Sequence, residues 1–147
     1  MKKGFTLVEL LAVIVILAII SLIAVPIVTD VINNSRESSI LRSTEFYLDA
    51  VEQGIARRQL NNKTTDDGVY DVKEDGNICL VYDEEEECID ELKVEIDGNY
   101  PTGGDITISN GRISNIKNLK FGEEYVSYDE NNEKIITDTP QTVAIIE

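Results

Sequence analysis

Residues 1–29 read MKKGFTLVELLAVIVILAIISLIAVPIVT, and this stretch determines how the rest of the chain is held. Two lysines precede Gly4 and Phe5, and a glutamate, Glu9, lies just inside the apolar run. Residues 10–29 are twenty consecutive positions without a formal charge. A bilayer core about 30 Å thick needs about 20 apolar residues in a helix. The stretch is therefore long enough to span a membrane.

Glu9 is the feature that an ordinary membrane span does not explain. An ionisable side chain at the edge of a span costs about 2–3 kcal/mol, and less near the interface. A secretory signal peptide has a shorter apolar region followed by an A-x-A-like cleavage site, which this sequence lacks. A plain single-span anchor fits the length but leaves Glu9 and the Gly4–Phe5 pair without a role.

The charge of the chain is concentrated in its last part. Residues 1–60 carry six Lys/Arg and six Asp/Glu. Residues 61–147 carry seven Lys/Arg and 22 Asp/Glu, and they account for the whole net charge of −15. So acidic a segment argues against direct nucleic-acid binding, which needs clustered Lys/Arg. The chain has no histidine, which excludes His-based triads and His metal sites. We expect neither an enzyme nor a cofactor or metal.

Residues 5–60 are predicted to form one long helix. Pro26 removes an i→i−4 hydrogen bond, so we expect a kink or a loosened turn near it. Beyond residue 30 the pattern becomes amphipathic, with Tyr47 beside a stripe at spacings of three and four: Leu41, Thr44, Leu48, Val51 and Ile55. The turn formers of residues 61–68 end the helix.

The rest of the sequence predicts short antiparallel strands. We expect them at residues 69–72, 78–82, 92–96, 105–109, 112–117, 125–128 and 134–137. Asn110-Gly111 predicts a type I′ hairpin, and residues 129–132 a second one. Residues 138–147 form either an edge strand or a loose end. The predicted class is α+β, with the second half of the helix packed against an antiparallel sheet.

The motif Lys3-Gly4-Phe5-Thr6-Leu7-Val8-Glu9 resembles the type III signal of type IV prepilins and pseudopilins. The resemblance implies the type IV pilin fold, with cleavage between Gly4 and Phe5 by a prepilin peptidase that then methylates the amine of Phe5. Residues 1–4 are then a leader, residues 5–29 a transmembrane and assembly helix, and residues 30–147 a soluble head. The head comprises the rest of the helix, to residue 60, and a β region over residues 61–147.

The same resemblance implies a partner for Glu9. In assembled pilins this carboxylate is thought to face the Phe5 amine of a neighbouring subunit, and a buried pair is tolerable where a lone charge is not. It also implies that the helix loosens around Pro26 in the fibre. The glycine that related pilins often carry before this proline is missing here, so the extent of loosening is left open.

The implied function is that of a structural subunit of a type IV pilus, used for adhesion, motility or aggregation. Expected partners are other copies of the chain, the peptidase, the assembly platform and ATPase, and membrane lipid before assembly. The head lies outside the cytoplasmic membrane first and in a surface filament later. Two alternatives remain: a pseudopilin or minor pilin of a secretion or DNA-uptake apparatus, and a surface-binding domain tethered by one span.

Cys79 and Cys88 predict a disulfide, because they are an even pair on the exported side of a span. The alternative is two free thiols. Closing a loop of about ten residues stabilises a fold by roughly 2–3 kcal/mol in the chain-entropy model. The spacing excludes a C-x-x-C redox site.

The acidic run of residues 83–87 is interpreted as a solvated surface. The alternative is a calcium site with other acidic pairs, although no D-x-[DN]-x-[DN]-G spacing is present. A catalytic carboxylate pair is not expected, because adjacent exposed glutamates do not separate their pKa values. Residues 83–90, 99–104 and 129–133 are the candidate exposed loops.

Overall fold

The computed structural model describes residues 4–81, 88–129 and 131–141. It contains a long helix, α1 (Leu7–Leu60), followed in the described residues by eight strands. These are β1 (Gly68–Val72), β2 (Ile78–Leu80), β3 (Asp90–Leu92), β4 (Asp105–Ser109), β5 (Arg112–Lys117), β6 (Leu119–Phe121), β7 (Glu124–Tyr128) and β8 (Lys134–Thr137). The predicted α+β layout, a long N-terminal helix before antiparallel strands, is confirmed.

The chain divides into two compact units, residues 1–38 and residues 39–147. Every described residue of the first unit is exposed, including all of its apolar side chains. The second unit, called here the folded unit, contains the hydrophobic core. The two units therefore differ in what their apolar residues contact within one chain.

The part of α1 in the folded unit buries one stripe of side chains. Its buried residues are Ile40, Thr44, Tyr47, Leu48, Val51, Gly54 and Ile55. The predicted stripe is confirmed from Thr44 onward, whereas its first position is Ile40 and Leu41 is only half-buried. The stripe packs in one cluster with inward-facing strand residues such as Tyr70, Ile106 and Val126. The strands thus cover the amphipathic half of the helix, as expected.

The strands form two antiparallel sheets rather than the single sheet that we expected. Five strands are ordered β3-β2-β1-β4-β5, and three are ordered β6-β7-β8. Alternation sets the inner side, because Ile106 and Ile108 of β4 are buried while their neighbours are half-buried.

Both predicted hairpins are present. Asn110 and Gly111 join β4 to β5 with φ of 52° and 71°, the two positive angles that a type I′ turn requires. In the turn between β7 and β8, the Asp129 carboxylate accepts hydrogen bonds from the backbone N–H groups of Asn131 and Glu133 at 2.9 and 2.8 Å.

The strand predicted at residues 92–96 is only partly correct. Pairing is confined to β3, and residues 93–96 are not in a strand. The Val94 N–H donates to the Asn77 side chain at 2.9 Å instead of to a neighbouring strand. Gly54 lets this segment approach α1, since a Cβ there would lie 3.3 Å from the Lys93 carbonyl oxygen. Burial does alternate along residues 92–96, but it results from packing against α1 and not from strand pairing.

Two other predicted boundaries also change. The strand predicted at residues 78–82 ends at Leu80, and residue 82 lies outside the described residues. Residues 138–141 form no strand, and the remainder of the predicted tail is outside the described part of the chain. The helix ends as predicted, where Asn62 has φ of 56° and the Lys63 N–H donates to the Arg58 carbonyl at 3.0 Å.

Candidate processing and assembly site

The first turn of α1 is closed by a reciprocal contact between Thr6 and Glu9. The backbone N–H and the hydroxyl of Thr6 both donate to Glu9 Oε2 at 2.9 Å. The Glu9 N–H donates in return to Thr6 Oγ1 at 3.3 Å. This is a capping box, in which an N-cap Thr and a Glu three residues later satisfy backbone donors that have no partner in the helix.

This capping role of Glu9 was not predicted, although the T-x-x-E spacing before an apolar run is its signal. The capping box holds a carboxylate at the positive end of the helix dipole, where negative charge is favourable. Glu9 Oε1 accepts no hydrogen bond from the residues that the structure describes. One carboxylate oxygen therefore remains for a further donor.

The predicted cleavage position lies in open space. Gly4 is exposed, and nothing lies within 4 Å of where a Cβ would be. The next residue, Phe5, is 86% exposed. Residues 1–3 of the predicted leader are outside the described residues. The Gly4–Phe5 peptide bond is thus unobstructed by the rest of the described chain.

The helix that follows presents apolar side chains in every direction. Leu10, Ile14 and Leu22 are 62%, 54% and 79% exposed, and the residues between them are exposed as well. By length and composition α1 is able to cross a membrane. A helix that is hydrophobic all round needs a bilayer or other helices around it. Its first half is therefore built for an apolar environment that the single chain does not supply.

Pro26 lies inside α1, and the helix continues through it. Because proline has no N–H, the hydrogen bond that residue 26 would donate to the Leu22 carbonyl is missing. One turn later, the Thr29 hydroxyl donates to the Val25 carbonyl at 3.0 Å. The predicted kink stays a prediction.

Cys79 and Cys88 are joined by a disulfide with Cα atoms 5.6 Å apart. Cys79 is buried in β2, and Cys88 is exposed just before β3. The intervening residues 82–87, which include the acidic run and its suggested calcium site, are outside the described residues. The disulfide links β2 to the segment just before β3, and these two strands already pair, with Leu80 opposite Asp90.

Several of the acidic side chains that the structure describes hold turns or ion pairs. No group of three or more His, Cys, Asp or Glu that would suit a metal ion occurs among these residues. Asp67 Oδ1 accepts from the Asn110 N–H at 2.7 Å, which ties the loop after α1 to the β4–β5 turn. Asp90 forms a bidentate ion pair with Arg58.

Two carboxylates of the folded unit have shifted pKa values, in opposite directions. The hydrogen bonds from Arg58 hold the pKa of Asp90 below its ordinary value. Burial, helped by the charge of Asp71, raises the pKa of Asp105. Asp71 lies directly opposite Asp105 on β1, and Lys117 lies opposite it on β5. The sheet therefore places two like charges side by side.

Comparison with known families identifies the N-terminal segment. Residues 1–25 match the family described as the prokaryotic N-terminal methylation motif, which is the signal of type IV prepilins. No curated protein and no solved structure matches the chain. The motif implies processing by a prepilin peptidase, and with the long apolar helix it fits anchoring in a membrane. The α+β layout is like that of the type IV pilin fold.

Proposed function

We propose that this chain is a structural subunit of a type IV pilus-like filament. The observation that carries the proposal is the methylation motif at the start of a helix whose apolar side chains are exposed all round. A signal for processing explains how the chain is released from its leader. The exposed apolar surface suits both environments, because the same side chains pass from lipid to neighbouring helices, where close side-chain packing favours association.

In this proposal residues 1–4 are removed and Phe5 becomes the N-methylated first residue. Residues 5–29 anchor the prepilin in the cytoplasmic membrane and later form the filament core. Residues 30–147 remain outside as the head. The chain itself does no catalysis, and the peptidase, the platform and the ATPase belong to the surrounding machinery.

Glu9 and the new Phe5 amine supply the register between subunits. Cleavage creates a positive charge among apolar helices, and a carboxylate from a neighbouring subunit neutralises it. The exposure of both residues and the free Glu9 Oε1 support this assignment. Loosening of the turn around Pro26 lets the helix adapt to its neighbours, since one backbone hydrogen bond is already missing there.

Electron microscopy of the cell surface with and without the chain tests the proposed function. We expect filaments that contain this chain as their main component and disappear when it is deleted. Restoring the chain on a plasmid should restore them, which controls for effects on neighbouring genes. Cells with unchanged filaments after deletion would exclude a main structural subunit and favour a pseudopilin or minor pilin.

A further inference from the structure

The folded unit carries an exposed aromatic side chain on α1. Phe46 is 68% exposed, whereas the adjacent Tyr47 is fully buried. At 100° per residue, Phe46 lies about 140° around the helix from Val51, which is at the middle of the buried stripe. A single exposed apolar side chain is ordinary on a protein surface. Phe46 is considered further because charged side chains flank it and because the folded unit has a cleft elsewhere on its surface.

Opposite charges flank Phe46 along the exposed side of α1. Arg42 is four residues before it and Asp49 is three residues after it, so both lie on the same side of the helix. Both are exposed, and neither forms an ion pair with a described residue. We call Arg42, Phe46 and Asp49 the knob.

A cleft of about 310 Å³ lies between α1 and the β4–β5 turn. The socket, as we call it, is lined by Glu52, Ile55, Ala56, Gln59, Gly111 and Arg112. Ile55 is 2% exposed and belongs to the core. The Gln59 side chain reaches the turn, since its Nε2 would lie 3.0 Å from a Cβ at Gly111. The socket is therefore formed by residues that the hairpin brings to the helix.

The rim of the socket also carries two unmatched charges. Glu52 on α1 and Arg112 at the start of β5 are exposed, and neither pairs with an opposite charge in the part of the chain that the structure describes. The knob thus carries a positive charge, an aromatic ring and a negative charge. The socket offers a negative charge, an apolar surface and a positive charge.

We propose that the knob of one subunit docks into the socket of a second copy of this chain. Phe46 packs against the exposed Ala56, above the buried Ile55, Arg42 faces Glu52, and Asp49 faces Arg112. An aromatic anchor in a cleft with complementary charges at its rim is the usual composition of a specific interface. The inference rests on the proposed filament function and names the contact between neighbouring heads.

The arrangement suits a fibre because the knob and the socket are different surfaces of one chain. Such a heterologous contact continues from copy to copy and yields an open helical assembly when the rotation does not close. The excess acidic charge of residues 61–147 makes subunits repel one another, so charge pairs between them offset part of that repulsion.

Cysteine crosslinking in full-length filaments tests the contact. Cys79 and Cys88 are already joined and the described chain has no free cysteine, so Phe46→Cys with Ala56→Cys supplies the reactive thiols. We expect mild oxidation of sheared filaments to give a ladder of dimers and higher oligomers that reductant removes. The matched control pairs Phe46→Cys with Val69→Cys, an exposed position on β1, and should remain monomeric.

Charge reversal tests the same contact without new thiols. Arg42→Glu and Glu52→Arg should each lower the yield of filaments about tenfold, because each places like charges together. The double variant should recover to within about twofold of the unmodified chain, since it restores an opposite pair. Prepilin cleavage, measured in the same cells, should not change in any of them.

The outcomes separate this inference from the proposed function. Filaments that assemble without the Phe46–Ala56 crosslink, and that tolerate both single charge reversals, would overturn the knob-and-socket contact and leave the filament subunit standing. Failure of the unmodified chain to form filaments would overturn both. A crosslinked ladder together with rescue by the double reversal supports both.

Discussion

Glu9 has two separable roles, a cap within its own helix and a proposed charge partner for a neighbour. Glu9→Gln keeps a side-chain oxygen for the Thr6 N–H, because Gln also serves in a capping box, but it removes the charge. We expect Glu9→Gln and Glu9→Ala to be inserted and cleaved but not assembled. Cleavage is followed by gel mobility and assembly by the yield of sheared filaments. Full yield from Glu9→Gln would assign the role of Glu9 to capping alone.

Gly104 has a backbone conformation that residues with a side chain rarely adopt, and it lies close to a neighbouring backbone. Its φ is 109°, and a Cβ would lie 2.4 Å from the Asn118 carbonyl oxygen. Gly104→Ala should lower the free energy of unfolding by roughly 2–4 kcal/mol. The control is Gly103→Ala, which meets nothing within 4 Å and should change stability by no more than about 0.5 kcal/mol. Urea unfolding followed by tyrosine fluorescence measures both, and equal midpoints would contradict the prediction.

Asp105 should make the folded unit less stable as the pH rises. Its folded-state pKa is raised above the ordinary value of 3.8, so the folded chain binds more protons than the unfolded chain between the two values. Stability therefore falls from about pH 4 up to the raised pKa. Asp105→Asn should remove this loss and leave the protein more stable at pH 7. The measurement is the urea midpoint at several pH values.

The change of stability with pH should have the opposite sign at Asp90, which serves as the control for Asp105. Its folded-state pKa is lowered by Arg58, so its stabilising effect is present above the ordinary value of 3.8 and is lost as the pH falls through the lowered pKa. Asp90→Asn should destabilise the folded unit at pH 7. If the urea midpoint changed with pH in the same way in Asp105→Asn and Asp90→Asn, these assignments would be contradicted.

The disulfide joins Cys79 of β2 to Cys88, which lies two positions before the start of β3. Replacing Cys79 and Cys88 with serine should lower the free energy of unfolding by about 2–3 kcal/mol, as expected for a loop of about ten residues. Reducing the unmodified chain should give the same decrease, whereas reductant should not affect the double variant. An unchanged urea midpoint after reduction would show that the disulfide does not stabilise the fold.

The elements that the sequence predicts correctly are those with strong local signals. The helix follows from its period and its flanking turn formers, and the hairpin after Ser109 follows from Asn110-Gly111, because few other pairs accept two positive φ angles. The segment of residues 93–96 shows the limit. Its alternation indicates a strand with one buried face, but Asn77 and Gly54, both distant in sequence, place it on the helix.

The processing motif and the socket also differ in whether a local stretch of sequence encodes them. The processing motif is contiguous in residues 3–9, so the sequence alone identifies it, and its capping box is equally local. The socket depends on Arg112 reaching α1 beside Glu52, sixty positions away in the chain (112 − 52 = 60). No local pattern encodes that proximity, because it arises from strand pairing and from the turn that the pairing positions.

We propose that this chain is a prepilin whose cleaved, methylated helix enters a filament. Mass spectrometry of the N-terminal peptide of the mature chain, taken from sheared surface filaments, tests it most directly. We expect a chain that begins at Phe5 with one methyl group on its amine and lacks residues 1–4. A mature chain that retains Lys2 and Lys3 at its N-terminus would contradict it.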